Sequence, residues 1–111
     1  MTDYTKKYLS DILQAIILIE QFTSNIADYN DYVNDLKTQS AVERQLGIIG
    51  EETNKYDKLQ PDNTLENAKK IVGFRNRLIH SYDAVDTSII WAILKKYLTP
   101  LKQEIEKKLL Q

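Results

Sequence analysis

Apolar residues recur every three or four positions along almost the whole chain. That is the spacing of amphipathic helices, not the alternation of strands. From Asp3 to about Phe22, one stripe runs through Tyr8, Ile12, Ala15, Ile16, Ile19 and Phe22, opposite Lys6, Lys7 and Gln14. The following SNIADYNDYVNDLKT is rich in Asn and Asp, which compete with the backbone for hydrogen bonds, and it predicts a polar connector with a short helix around Tyr29 to Leu36. Ser40 and Glu43 in SAVE have the spacing of a capping box, predicting a third helix whose stripe is Val42, Leu46, Ile49 and Tyr56, widened by Ala41 and Ile48. Gly47 and Gly50 lie inside it, where each costs about 1 kcal/mol relative to Ala, so close approach of a neighbouring helix is expected there. Pro61 marks its end.

A second capping box, Asn63 with Glu66, opens a helix through Ala68, Ile71, Val72 and Phe74. The closing helix starts near Asp86 and buries Ile89, Ile90, Ile93, Leu94, Tyr97, Leu101, Ile105 and Leu109, with Trp91 at its flank. Pro100 falls well inside this segment and should kink or locally break the helix rather than begin one. Four substantial helices and one short one predict an all-α fold, an antiparallel four-helix bundle with an additional short helix.

Composition narrows this picture. The 111 residues fit one domain, 1–111, and 42% hydrophobic residues suffice for one core. Three glycines and two prolines are too few for an all-β design with its frequent turns. The absence of cysteine excludes disulfides, thiolate catalysis and cysteine-ligated zinc. No apolar run approaches the roughly 20 residues of a membrane span, so the expectation is a cytoplasmic protein without membrane attachment. The net charge of −1 hides an asymmetry: residues 1–62 hold six Lys/Arg against eleven Asp/Glu, and residues 63–111 hold nine against five. A net −5 half beside a net +4 half permits an anionic ligand on the second, although solvated faces carry charge in the same way.

Within that basic half, RNRLIHSY (residues 75–82) gathers the sole histidine, two arginines and a tyrosine. On a helix, Asn76 and Arg77 share a face with His80, while Arg75 lies about 140° away on a stem long enough to bend back. Imidazole titrates near neutrality and moves protons. Guanidinium grips phosphate at two points and stabilises charge developing on phosphorus. Together they suit RNA cleavage with neither metal nor cofactor: His80 takes the proton of a ribose 2′-hydroxyl or delivers one to the leaving oxygen. One histidine cannot do both at once, and a two-fold dimer would supply the second. The same residues also fit a surface histidine at a helix C-terminus. With no second histidine at ligand spacing, a metal site would have only carboxylates to draw on.

RNRLIHSY resembles the R-x-x-x-x-H-x-Y signature of HepT-like toxins in the HEPN superfamily. The resemblance extends along nearly the whole chain. YLSDILQAIILIEQF is similar to the family's first helix, SAVERQLGIIGEETNK to its internal A-V-x-R-x-L-x-x-I-G-E segment, IVGFRNRLIHSYDAVD to the motif region and TSIIWAILKKYLTPLKQEI to the closing helix. PDNTLENAKKIVGF departs from it in lacking a tryptophan ahead of I-V-G.

The resemblance implies a homodimer with two motifs across a shared cleft, and a metal-independent endoribonuclease toxin. It also implies a minimal nucleotidyltransferase antitoxin that transfers AMP to the motif tyrosine. Carried onto this chain, Arg75 and His80 are the catalytic pair, Asn76 supports them and Tyr82 is the modified phenol. Arg44 and Glu51 match polar positions of the internal segment; Glu51 would order the cleft or pair with Arg44. Arg77 is expected to bind RNA from the rim, with Lys69, Lys70, Lys95 and Lys96 as further basic positions. The alternative is a non-catalytic dimer that binds the transferase or a nucleotide, and a third reading makes the transferase the toxic member of the pair.

Overall fold

The computed structural model describes residues 2–73 and 86–111, and among these every regular element is helical. Helix α1 spans Asp3–Phe22, α2 Tyr29–Val33 and α3 Leu36–Leu59. A 3₁₀ turn at Glu66–Ala68 leads into helical residues 69–73. After residue 85 come α4, Thr87–Lys96, and α5, Leu98–Leu109.

The most extensive packing among the described elements is between α1 and α3; α5 lies against α1 and the 3₁₀ turn, and α2 sits on α3 and α4. Among the described residues the core is a single cluster that includes Leu9, Ile12, Ile16 and Ile19 of α1, Val42, Leu46, Ile49 and Tyr56 of α3, and Leu101 and Ile105 of α5. Burying one such aliphatic side chain is worth about 1.5–3 kcal/mol. The α1 stripe therefore takes in Leu9, with Tyr8 only partly buried at its edge. Lys102 of α5 donates to Glu20 of α1 at 2.9 Å and ties the two helices at their surface.

Several sequence expectations change. Helix α3 begins a turn before Ser40, because Asp35 caps it: its Oδ1 accepts the Thr38 N–H at 3.0 Å and its Oδ2 the Thr38 hydroxyl at 2.7 Å. At Gly47 an added Cβ would meet nothing within 4 Å, so among the described residues no neighbouring helix approaches closely there. Gly50 is buried.

Ile89, expected inside, is 39% exposed, and Leu98 takes a core position instead. Pro100 does break the closing segment, but it lies at the beginning of a helix, against the expectation. Lacking an N–H for the Lys96 carbonyl, it sits in the first turn of α5, and Tyr97 is both the last cap of α4 and the first of α5. As expected, Asp86 caps α4 by accepting the Ser88 N–H at 2.9 Å.

Candidate functional site

Arg75, Asn76, Arg77, His80 and Tyr82 lie outside the described residues. What the structure gives is their setting: residues 69–73 running toward the motif on one side, and Asp86 with α4 returning from it on the other.

The start of that stem is held from a distance. Asn63 and Glu66 do not form the expected capping box. Instead the Glu104 carboxylate of α5 accepts the Glu66 N–H at 2.9 Å, the Asn67 N–H at 3.0 Å and the Asn67 side-chain amide at 3.0 Å. A carboxylate on free N–H groups at a helix start satisfies donors that have no partner within the helix and opposes the positive end of the helix dipole. The preceding loop is pinned too. Tyr56 donates its hydroxyl to the Asn63 carbonyl at 3.0 Å, Asp57 accepts the Leu65 N–H at 3.0 Å, and Lys108 donates to the Asn63 side chain at 2.6 Å. Burial pushes the Asp57 carboxyl above its ordinary range, and the charges of Glu104 and Glu66 add to that rise, while the Leu65 N–H opposes it.

Sequence reasoning missed Glu104. The available signal was its place beside the seam, flanked by Leu101 and Ile105 at helical spacing.

Beside the stem a groove of about 550 Å³ opens between residues 69–73 and α4. Lys69, Lys70 and Gly73 form one wall, Ile89 and Lys96 the other, and Tyr97 lines it as well. Three of the four lysines singled out in the sequence thus meet in one place. Lys95 lies elsewhere, its ammonium 4.5 Å from the centre of the Trp91 ring. Trp91 also packs on Tyr32, with ring centres 5.3 Å apart, and on Tyr29 at 6.4 Å. The Tyr32 hydroxyl is buried without a hydrogen-bond partner among the described residues, and burial holds this phenol far above its ordinary pKa.

Arg44 and Glu51 both stand exposed on α3. Arg44 borders a smaller groove of about 270 Å³ against α1, with Asp11 and Glu52. Glu52 is the more buried of the two adjacent glutamates. Its Oε1 accepts from Lys55 at 3.1 Å, raising the ammonium's pKa, and its Oε2 is buried without a partner among the described residues. Among the described residues, no helix is long and apolar enough to cross a membrane.

Comparison with known proteins gives this setting a context. The family model described as ribonuclease HepT-like matches residues 12–108. A Thermococcus cleftensis protein named probable ribonuclease HepT is 40% identical over 106 residues, covering 92% of this chain and 93% of its own length. A Methanocaldococcus jannaschii protein, named as a candidate RNase, is 37% identical over 103 residues, covering 91% of this chain and 93% of its own. Among solved structures, the tri-AMPylated Shewanella oneidensis HEPN toxin, in complex with an MNT antitoxin, superposes with a TM-score of 0.74 over 100% of both chains at 21% identity. That likeness establishes the HEPN fold.

Proposed function

The chain belongs to the HepT-like ribonuclease family, and from that premise we propose that it is a metal-independent endoribonuclease toxin acting in the cytoplasm. In this reading residues 1–111 form one antiparallel four-helix bundle with an additional short helix, and two copies pair around one cleft. The observation that carries the proposal is the intact RNRLIHSY motif (residues 75–82) inside the span that the family model covers.

The reaction follows from the side chains. His80 of one copy takes the proton of the ribose 2′-hydroxyl, whose oxygen attacks the adjacent phosphorus. The bond from phosphorus to the 5′-oxygen breaks, and His80 of the second copy returns a proton to that oxygen. A 2′,3′-cyclic phosphate and a 5′-hydroxyl result. Arg75 neutralises the charge that builds on the phosphoryl oxygens, Asn76 orients the imidazole and Arg77 holds RNA at the rim. Arg44 and Glu51 on α3 are assigned supporting roles in the same cleft.

Control comes from a minimal nucleotidyltransferase antitoxin. The Tyr82 phenol attacks the α-phosphorus of ATP, pyrophosphate leaves, and the attached AMP places a bulky anion where RNA phosphates must enter. The partner named in the solved neighbour supports this pairing.

The test uses protein expressed without the antitoxin and shown by intact mass to be unmodified. Cleavage of RNA, with chelator present and matching DNA untouched, is expected; His80→Ala should lower the rate about 10²–10⁴-fold. Full cleavage by both His80→Ala and Arg75→Ala would remove the assignment, and sedimentation as a monomer at micromolar concentration would remove the shared cleft.

A further inference from the structure

We propose that the groove between residues 69–73 and α4 is a binding track for single-stranded RNA, with Lys70 and Lys96 contacting phosphates on either wall. Ile89 and Tyr97 would form the surface against which a ribose or base lies. The inference deepens the ribonuclease reading and rests on it for the identity of the ligand.

Four observations carry it. The volume of about 550 Å³ falls within the roughly 300–1,000 Å³ typical of ligand sites. The charges facing it are unequal in availability: Lys69 is engaged by Glu66 at 3.1 Å, whereas among the described residues Lys70 and Lys96 have no carboxylate at ion-pairing distance, the Lys96 ammonium lying 5.6 Å from the centre of the Tyr97 ring. Ile89 is 39% exposed on this wall, although the helical pattern would place it inside. Gly73 leaves its part of the wall open, since a Cβ there would meet nothing within 4 Å.

Exposed cations around an apolar and aromatic surface match what unpaired nucleic acid needs. Phosphates take the charge, and a sugar or base removed from its stack takes the apolar contact. Gly73 is also two residues from Arg75 in sequence.

Salt dependence of binding reads this directly. Affinity for a single strand falls with salt with a slope of about 0.7 per neutralised phosphate. A fluorescein-labelled 12-nucleotide RNA is titrated with His80→Ala protein, which keeps the RNA whole, over a range of salt concentrations. Adding Lys70→Ala and Lys96→Ala together should flatten the slope by about 1.4 and weaken binding, and Lys95→Ala should leave both unchanged.

An unaltered slope in the double variant overturns the track. So does equal weakening by Lys95→Ala, which would mean diffuse attraction to the whole basic half. Cleavage by the unaltered protein is scored separately. Cleavage with an unchanged slope sinks only the track; a flattened slope without cleavage keeps the RNA site and sinks the ribonuclease reading. Absence of RNA binding sinks both.

Discussion

Glu104 grips Asn67 twice, through the backbone N–H and the side-chain amide, each at 3.0 Å and across 37 residues of sequence. This contact sets the start of the segment that leads to the motif. Hydrogen bonds to a charged group contribute about 1.5–3 kcal/mol each, less where water can substitute. Glu104→Ala is therefore expected to cost about 1–3 kcal/mol in urea unfolding. Cleavage of RNA should fall further than the unfolded fraction explains, through kcat more than KM. Glu104→Gln keeps an acceptor and should recover most of the stability. If Glu104→Ala unfolds at the wild-type midpoint, the contact does not hold the stem.

Asp57 gives a pH test. A carboxyl raised above its unfolded value binds protons more tightly in the folded protein, so its ionisation works against folding. The penalty is absent below the unfolded value of about 3.9 and complete above the raised folded value. Asp57→Asn retains an oxygen for the Leu65 N–H and removes the charge. The variant should melt above wild type at pH 7, and the difference should close as pH falls below about 4. An identical gap at both pH values would contradict this account of Asp57.

Tyr32 carries a buried hydroxyl with no hydrogen-bond partner among the described residues, and its ring packs tilted against Trp91. An unsatisfied buried hydroxyl costs about 1–3 kcal/mol, and the ring supplies the packing. Tyr32→Phe should stabilise by about 1 kcal/mol, seen as a Tm increase of several degrees. A drop in Tm would mean that the hydroxyl has a partner after all.

Gly47 lies in α3 with open space where a Cβ would go. Gly47→Ala should therefore gain about 0.5–1 kcal/mol in chemical unfolding, the ordinary helix-propensity difference. Destabilisation would restore the close helix approach that the sequence suggested.

The success and failure of the sequence reading divide along one physical line. Features set by neighbours in the chain were legible: the Ile12, Ile16 and Ile19 stripe, the Asp86 cap, and the break at Pro100. Features set by distant partners were not. Asn63 and Glu66 carry a local capping signature, yet Glu104 and Lys108 claim those groups from another helix. Ser40 and Glu43 have the same signature, and Asp35, one turn earlier, caps the helix instead. Periodicity placed Ile89 inside but could not foresee the groove that exposes it. For the candidate site, the sequence offered the chemistry of residues 75–82 and four flanking lysines. Only the fold, which sets α4 across a groove from the stem, separated Lys95 from the other three.

The distance between Glu66 and Glu104 has a consequence during synthesis. The ribosome makes Glu66 38 residues before the carboxylate that receives its N–H, and Tyr82, the last residue of the motif, 22 residues before it. At about 5–20 residues per second, translation leaves an interval of about 1–4 s in which the nascent chain carries the whole motif without that clasp. The start of the stem is therefore clasped only once the fifth helix has been made and has folded back onto it.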